Sequence, residues 1–330
     1  MLKREIGRSG ISASALALGT WAIGGSDWGG TDEDASIAAI HAGLDAGIDL
    51  IDTAPIYGFG LAEELVGKAI SGRRDSVVLA TKCGLVWGGE KGAFFFPSEY
   101  GKVHRYLGRD AIRMEVEASL KRLKTDYIDL YQTHFQEPTT PIAETMEALL
   151  ELKQEGKIRA IGISNASAEQ LADYLAVGQV DVMQEQYSMV SRDLEGEVIP
   201  LALSEGVGIL AYSPLAMGLL SGRMRAERSF GSGDVRGESK RFAPDVITRV
   251  NTFLDSIAPI AADHDISMVQ LVLAWTLARP GITHVLSGVR NRAQADENVA
   301  AANVSLSADE MAAITAKLDE AALNVPPTYG

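Results

Sequence analysis

The chain has 330 residues, of which 46% are hydrophobic and 22% charged, a composition typical of a soluble globular protein. Its 30 lysine and arginine residues against 44 aspartate and glutamate residues give a formal net charge of −14, which argues against nucleic-acid binding and against an anionic membrane surface. Cys83 is the single cysteine, which excludes an internal disulfide and a multi-cysteine zinc site, and we expect no metal centre.

Hydropathy along the chain points to a cytoplasmic location. No apolar run approaches the roughly 18 residues that suggest a membrane span. The first ten residues carry charge, but no apolar stretch of the kind found in signal peptides follows them. We therefore expect a cytoplasmic protein whose partners are small molecules, with neither nucleic acid nor membrane among them.

Short apolar runs recur along the chain and are typical of strands buried on both faces of a parallel sheet. In chain order the predicted strands are Ala15–Gly19, Ile48–Ile51, Ser76–Ala80, Tyr127–Tyr131, Ala160–Ile163, Val180–Met183, Gly208–Tyr212 and His284–Leu286. Between them lie stretches with apolar residues at three- and four-residue spacing. They predict helices at Ala35–Ala46, Ala62–Ile70, Arg109–Leu123, Pro141–Glu155, Ala168–Ala176, Glu195–Ser204 and Pro244–His264.

This alternation favours a closed (β/α)8 TIM barrel over an open doubly wound sheet, although periodicity alone does not separate the two. We predict one barrel domain over residues 1–330. Residues 3–11 are predicted to form a hairpin with its turn near Ser9 and Gly10, and residues 221–243 a long loop after the seventh strand. The chain has no Gly-x-Gly-x-x-Gly segment between a strand and a helix, so a Rossmann site is unsupported.

Polar residues stand where the predicted strands end, and in a closed barrel such ends converge on one pocket. They are Asp52-Thr53, Thr81-Lys82, Thr133-His134, Ser164-Asn165, Gln184–Gln186 and Tyr212-Ser213.

Tyr57, in the loop after the second strand, completes a set of groups suited to proton transfer. Free tyrosine has a pKa near 10, too high for efficient acid–base work at neutral pH. We expect the Lys82 ammonium, paired with Asp52, to lower the pKa of Tyr57, and His134 to offer a hydrogen bond to a carbonyl oxygen. This set of side chains is suited to delivering a proton to a carbonyl oxygen while a hydride is transferred to the carbonyl carbon.

Two other interpretations of these residues remain open. Asp52 and Lys82 could form only a structural ion pair within the barrel. Lys82 could instead act as the Schiff-base nucleophile of a lyase.

Five segments, taken in order, resemble the aldo-keto reductase family. They are Gly47–Gly58, Gly156–Asn165, Glu185–Tyr187, Tyr212–Gly222 and Ser287–Asn298. The likeness is greatest to bacterial general-stress and glycerol-dehydrogenase-like members, and a more distant one extends to potassium-channel β-subunits. It implies an NAD(P)H-dependent carbonyl reductase or alcohol dehydrogenase acting on a small aldehyde, sugar or polyol. The channel likeness leaves a second hypothesis, a regulatory or redox-sensing subunit that binds cofactor with little turnover.

The resemblance also implies roles for individual residues. Tyr57 is the expected proton donor, with Lys82, Asp52 and His134 as its catalytic partners. The predicted cofactor-binding residues are Gly19, Thr20, Trp21, Ser164, Asn165, Gln186, Tyr212, Ser213, Leu215, Gly218, Leu219, Gly222, Arg223, Gly288, Arg290, Gln294, Glu297 and Asn298. Of these, Ser164, Asn165 and Gln186 would hold the nicotinamide carboxamide, and Tyr212 would stack on its ring.

The sequence departs from the family pattern in two places. Phe135-Gln136 follows His134 where relatives often have Trp-Pro, which affects the expected shape of the substrate pocket. Gln294 stands where some relatives have arginine, so we expect Arg290 and Arg292 to supply the positive charge for a 2′-phosphate. We predict NADP(H) as the favoured cofactor, with NAD(H) as the alternative.

Several loop residues have predicted or undecided roles around the pocket. Trp21 and Trp87 are predicted to wall the substrate pocket. Phe94–Phe96 form either a lid or a contact patch. Arg236, Lys240 and Arg241 either clasp cofactor phosphates or belong to a solvated loop.

Overall fold

The computed structural model describes residues 1–327. Its strands are β1 (Lys3–Glu5), β2 (Ser12–Ser14), β3 (Leu16–Gly19), β4 (Leu50–Asp52), β5 (Val78–Cys83), β6 (Leu85–Trp87), β7 (Ala93–Ser98), β8 (Gly101–Arg105), β9 (Ile128–Thr133), β10 (Ile158–Ser164), β11 (Val182–Gln186), β12 (Gly208–Tyr212) and β13 (Ile282–Gly288). Its helices are α1 (Trp21–Gly24), α2 (Glu33–Asp45), α3 (Leu61–Ala69), α4 (Arg109–Leu123), α5 (Ile142–Gln154), α6 (Ala168–Val177), α7 (Val198–Glu205), α8 (Pro244–Asp263), α9 (Met268–Leu277), α10 (Arg292–Ala300) and α11 (Ala308–Ala321).

A closed barrel of parallel strands forms the centre of the fold, in the order β3-β4-β5-β9-β10-β11-β12-β13. Closure comes from β13, which pairs with β3 through Val285–Gly288. This confirms the predicted TIM barrel, and every predicted strand corresponds to a barrel strand. Several strands run further than predicted at their carboxyl ends, for example β5 to Cys83 and β9 to Thr133. Polar side chains that line the barrel continue the ladder there, and an apolar pattern does not detect them.

Small apolar side chains fill the barrel interior. Each barrel strand contributes one buried residue to this cluster: Ala17, Leu50, Ala80, Leu130, Ala160, Val182, Leu210 and Leu286. The hairpin of β1 and β2 adds Ile6, Ile11 and Ala13, which pack at the end where the strands begin. The hairpin thus closes that end of the barrel and spans residues 3–14, slightly longer than predicted.

Two kinds of element were missed in the sequence. Residues 85–105, where only a loop was expected, form an antiparallel sheet of β6, β8 and β7. Helices α1, α9, α10 and α11 were not predicted either. Helix α9 is buried around its whole circumference and α10 lacks an apolar stripe, so neither of these two shows the period of an amphipathic helix. No single helix within residues 1–327 is long and apolar enough to cross a membrane; α8 and α9 pass that test only as a pair bent by 88°, by length and composition.

The predicted long loop, residues 221–243, contains short 3-10 turns at Val235–Gly237 and Lys240–Phe242. It crosses to the loop after β3, where Asp234 pairs with Trp28 as a β-bridge and the Val235 amide donates to the Asp27 carbonyl at 3.1 Å. Arg241 is buried and donates to the carbonyl of Pro326 at 2.9 Å. Arg241 therefore connects the loop to the chain at Pro326 and does not line the cavity.

A buried carboxyl group on α4 couples stability to pH. Oε2 of Glu115 accepts a hydrogen bond from the Gly84 amide at 2.9 Å, and burial, reinforced by Glu63, raises the pKa of Glu115 to about 8. A pKa higher in the folded than in the unfolded chain stabilises folding below the unfolded pKa, and this contribution disappears as pH rises through the folded pKa.

We therefore expect the free energy of unfolding to fall between about pH 5 and about pH 9, and Glu115→Gln to reduce that fall. The neutral amide keeps an oxygen for Gly84. Urea unfolding at both pH values measures the effect, with Glu99→Gln on the exposed surface as the control. The free energy of unfolding of this variant should still depend on pH to some extent, because burial also raises the pKa of Glu185 to about 8. An unchanged pH dependence in Glu115→Gln would contradict this prediction.

Candidate active site

The carboxyl ends of the strands surround a cavity of about 980 Å³. Its walls include strand residues Gly19, Asp52 and Ser164, and also Tyr57 and His134 from the following loops. The predicted catalytic residues thus meet at the end of the barrel where TIM-barrel enzymes carry their sites.

Lys82 lies at the centre of a hydrogen-bonded set and is fully buried. Its Nζ donates to Oδ2 of Asp52 at 2.6 Å, to the carbonyl of Thr53 at 2.9 Å and to Oη of Tyr57 at 3.3 Å. Three acceptors match the three N–H donors of an ammonium group. Burial lowers the pKa of Lys82 and the Asp52 carboxylate opposes that shift. This geometry leaves no free lone pair and disfavours a Schiff-base nucleophile.

Asp52 is held by two amide groups as well as by Lys82. Its Oδ1 accepts hydrogen bonds from Nε2 of Gln132 at 3.1 Å and from Nε2 of Gln184 at 2.7 Å. Gln132 was not predicted, because the apolar run that marked its strand ended at Tyr131. Gln132 lies in β9, the barrel strand that follows β5, and it pairs in register with Lys82. A polar residue at the end of that strand is the signal by which the sequence could have indicated it.

The position of Tyr57 depends on close contact between two loop backbones. A Cβ atom on Gly24 would lie 2.5 Å from the backbone carbon of Tyr57, and one on Gly58 would lie 2.3 Å from the Gly24 carbonyl oxygen. Gly58 also has a φ of +65°, which favours glycine. The loops after β3 and β4 therefore hold the phenol in place through two glycines.

The expected direction of the Tyr57 pKa shift was wrong. Burial raises the pKa of Tyr57 well above its ordinary value, and the carboxylates of Asp52 and Asp27 raise it further. Lys82 does not reverse this, because Asp52 at 2.6 Å largely compensates its charge. Tyr57 consequently keeps its proton throughout the neutral range.

His134 faces Tyr57 as a neutral imidazole. Burial, reinforced by the Lys82 ammonium, holds the pKa of His134 well below its ordinary value. Its ring lies edge-on to the Tyr57 ring at 5.7 Å, and Phe135 stacks on it at 5.2 Å. Its backbone amide donates to the Cys83 carbonyl at 2.8 Å. A neutral imidazole in this position suits hydrogen bonding to a carbonyl oxygen.

Asn165 connects several strand ends at the cavity. It has a φ of +54°, and its Nδ2 donates to the His134 carbonyl at 2.8 Å while its Oδ1 accepts from Oη of Tyr212 at 2.8 Å. Oε1 of Glu185, a residue to which we gave no role, accepts from the Ala166 amide at 2.9 Å and supports this turn.

Most residues predicted to bind cofactor line the same cavity. They are Gly19, Thr20, Trp21, Ser164, Asn165, Tyr212, Ser213, Leu215, Gly218, Arg223, Gly288, Arg290, Gln294, Glu297 and Asn298.

Gln186, Leu219 and Gly222 are the exceptions and lie outside the cavity wall. Leu219 is buried in the core and Gly222 packs toward Met268. Gln186 is the last residue of β11, whereas Gln184 lies inside the barrel and reaches the cavity.

Aromatic side chains wall the outer part of the cavity: Trp21, Trp28, Phe59, Phe95, Phe96 and Phe135. Trp87 does not belong to this wall, because its ring packs edge-on behind Phe59 at 5.3 Å. A register shift in β7 lets both Phe95 and Phe96 face the cavity, while Phe94 points outward and is 55% exposed.

At the far end of the cavity, Arg290 lies just before α10. Its amide donates to Oε1 of Gln294 at 2.8 Å, and its Nη2 donates to the Gly30 carbonyl at 2.8 Å. Arg292 is exposed, lies outside the wall and pairs with Asp296 at 3.4 Å. Within residues 1–327, no group of three or more histidine, cysteine or acidic residues is arranged to hold a metal ion.

Comparison with known proteins agrees with this geometry. The model of the Aldo/keto reductase family matches residues 15–319. Aldo-keto reductase YhdN of Bacillus subtilis is 44% identical over 296 residues, 88% of this chain and 85% of that protein. The NADH-specific methylglyoxal reductase of Escherichia coli is 41% identical over 313 residues, 93% of this chain and 95% of that protein.

A solved structure extends the likeness to the whole fold. The glycerol dehydrogenase AKR11B4 from Gluconobacter oxydans superposes with a TM-score of 0.88 and 36% identity, over 99% of this chain and 98% of that one. These matches confirm the resemblance found in the sequence. Since the family model spans the barrel and relatives this similar cover most of its length, the chain belongs to the aldo-keto reductase family and is an oxidoreductase that interconverts carbonyl compounds and alcohols with a nicotinamide cofactor.

Proposed function

We propose that the chain is an NADP(H)-dependent reductase that interconverts a small aldehyde, sugar or ketone with its alcohol, with Tyr57 as the general acid and base. The observation that carries this proposal is the contact of the buried Lys82 Nζ with both Asp52, at 2.6 Å, and Tyr57 Oη, at 3.3 Å. Asp52 and Tyr57 line the cavity together with His134. We propose further that residues 1–330 form one domain and that the protein acts in the cytoplasm.

Tyr57 gives its proton to the substrate oxygen in the reductive direction. Its raised pKa keeps the phenol protonated until the oxygen develops negative charge. The phenolate left behind lies next to the Lys82 ammonium, which stabilises it, and Asp52 keeps that ammonium in place. In the oxidative direction the same phenolate accepts the alcohol proton.

His134 orients the substrate oxygen. As a neutral imidazole it donates one hydrogen bond, and Phe135 stacked on its ring fixes the ring plane. The carbonyl oxygen is then placed between the phenol of Tyr57 and the imidazole, which both polarise it in the transition state.

The cavity fits a nicotinamide dinucleotide. Ser164 and Asn165 line the cavity, and we assign the Ser164 hydroxyl oxygen and Oδ1 of Asn165 as acceptors for the carboxamide. We assign the Tyr212 ring to stack on the nicotinamide. Beyond them the chain turns through residues with positive φ, Ser213 and Met217-Gly218, which suits close approach of a pyrophosphate. When bound, the cofactor supplies or accepts the hydride.

Charge at the far end of the cavity supports NADP(H). Of the guanidinium nitrogens of Arg290, only Nη2 donates to an acceptor within residues 1–327, so the other N–H groups of the guanidinium stay available for a phosphate. The one carboxylate of this wall near α10, Glu297, is already paired with Arg223 at 2.6 Å. The N-terminus of α10, capped by Asn291, adds the favourable end of a helix dipole.

Arg290→Ala is expected to weaken NADPH binding about tenfold or more, the scale of a lost charge-assisted phosphate contact, and to leave NADH binding nearly unchanged. Quenching of tryptophan fluorescence during titration with each cofactor measures both dissociation constants. The effect should shrink at high salt. Arg292→Ala, which removes the same charge two residues away, serves as the control. Equal losses for both cofactors, or tighter NADH binding by the unmodified protein, would refute the preference.

Turnover tests the function as a whole. The protein is mixed with NADPH or NADH and with a panel of aldehydes, ketones and sugars, and cofactor oxidation is followed. We expect steady reduction of at least one small aldehyde. Tight cofactor binding without product from any member of the panel would instead favour the hypothesis of a cofactor-binding regulatory subunit.

A further inference from the structure

Asp27, in the loop after β3, lines the same cavity as Tyr57 and His134. Its Oδ2 accepts a hydrogen bond from Nε1 of Trp21 at 2.9 Å, and its carbonyl oxygen accepts one from the Val235 amide at 3.1 Å. Contacts from two separate loops therefore fix both the backbone and one oxygen of this carboxylate.

The other oxygen, Oδ1 of Asp27, is not bonded by Trp21. Within residues 1–327 it has no hydrogen-bond partner, and the carboxylate takes part in no ion pair. The nearby cation Arg236 is occupied, since its Nε and Nη2 donate to Asp234 at 2.9 and 2.6 Å and its guanidinium lies over the Trp28 ring. Three further cations line the cavity. Arg228 is exposed and lies over Phe230, Arg223 pairs with Glu297, and Arg290 donates to the Gly30 carbonyl.

A carboxylate that forms no ion pair and lies next to aromatic rings can discriminate between the ligands that enter a pocket. Trp21, which donates to Asp27, has its ring 5.3 Å from that of Trp28, and both rings line the cavity. A carboxylate oxygen accepts hydrogen bonds only, and it repels a second carboxylate. The Trp21 ring, which is hydrogen-bonded to Asp27, lies 6.5 Å from the Tyr57 ring, so the carboxylate is close to the reacting phenol. Its charge also contributes to the raised pKa of Tyr57.

We propose that Oδ1 of Asp27 accepts a hydrogen bond from a hydroxyl group on the substrate, so that this site prefers hydroxyaldehydes and hydroxyketones over the corresponding unsubstituted carbonyl compounds and disfavours those with a carboxylate. This assignment rests on the proposed function and names the substrate class of the same site. Asp27 acts on selectivity, while Tyr57 and its partners carry the chemistry.

The test compares Asp27→Asn with the unmodified protein on two matched pairs of aldehydes. Asparagine retains an oxygen for Nε1 of Trp21 and turns a donor, in place of an acceptor, toward the cavity. The first pair is glyceraldehyde and propionaldehyde, which have the same carbon chain. The second is succinic semialdehyde and butyraldehyde, which differ by one carboxylate. Hydration of the aldehydes cancels when ratios from the two proteins are compared.

For the unmodified protein we expect a higher kcat/KM for glyceraldehyde than for propionaldehyde. In Asp27→Asn this ratio should fall about tenfold or more, the scale of one lost hydrogen bond to a charged group. The ratio of succinic semialdehyde to butyraldehyde should rise. Asp34→Asn, which removes the same charge from an exposed site outside the cavity, should change neither ratio. The dissociation constant of NADPH should stay unchanged in both variants.

The outcomes separate this proposal from the proposed function. If Asp27→Asn lowers kcat/KM for both members of the first pair equally, or leaves the ratio unchanged, Asp27 does not select substrates and the inference is overturned alone. If the unmodified protein reduces none of the four aldehydes with either cofactor, the proposed function fails and the inference fails with it.

Discussion

Tyr57→Phe is expected to lower the rate of carbonyl reduction by about 10² to 10⁴, the usual contribution of a general acid. The ring and its edge-on contact with His134 at 5.7 Å remain, so the shape of the cavity is preserved. The variant loses the phenol hydroxyl, whose oxygen lies 3.3 Å from Lys82 Nζ, and with it the proton that Tyr57 donates. Initial rates of cofactor oxidation with a reactive aldehyde measure the loss.

Cofactor binding provides the check on this variant. Tyr57 contributes its phenol to the substrate end of the cavity, so the dissociation constant of NADPH should stay close to that of the unmodified protein. Tyr100→Phe removes the same atom from a tyrosine that is 55% exposed and outside the cavity wall, and it should retain full activity. Near-normal turnover by Tyr57→Phe would contradict the role of Tyr57 as the general acid.

Lys82→Met is expected to abolish turnover and also to destabilise the fold. The two side chains of the ion pair are only 1% and 3% exposed, so the substitution leaves the Asp52 carboxylate without its counter-charge in a buried site. Breaking a buried pair in this way costs about 3–5 kcal/mol. Urea or thermal unfolding measures the stability, and an aldehyde assay measures the activity.

The double variant Asp52→Asn with Lys82→Met separates the two effects. The neutral amide removes the stranded charge, and its oxygen still accepts from Gln132 and Gln184, which lie 3.1 and 2.7 Å from Oδ1 of Asp52. We therefore expect much of the stability to return and none of the activity. If the melting temperature does not recover, the two residues do not act as a pair.

The periodic features of the chain could be predicted well from the sequence. Near-continuous apolar runs identified every barrel strand, because a strand that is buried on both faces has apolar residues at nearly every position. Helix Arg109–Leu123 was predicted with the bounds that the structure has. Helix α9 was missed for the opposite reason: a helix buried on all sides has no amphipathic period.

At the site, the structure differs from the expectations in which residues line the cavity and in the charge around Tyr57. Gln184 and Gln186 stand two residues apart in one strand, and only their depth in the barrel decides which one reaches the cavity. Trp28 and Trp87 both follow barrel strands, but only Trp28 lines the cavity, because the Trp87 ring packs against Phe59 at 5.3 Å. The Tyr57 pKa was expected to fall, because a charge next to a phenol is visible in a motif while its burial and its compensating carboxylate are not.

The alternation of strands and helices, the polar strand ends and the ordered motifs sufficed to predict the barrel, the family and the group of Asp52, Tyr57, Lys82 and His134, because each of these signals is local in the chain. The proton state of Tyr57, the two glutamine amides on Asp52 and the unpartnered oxygen of Asp27 became visible from the folded structure. These depend on distances between residues far apart in the chain, such as the 2.7 Å from Gln184 to Asp52. Burial and electrostatic interaction act through space, so the folded arrangement is needed to evaluate them.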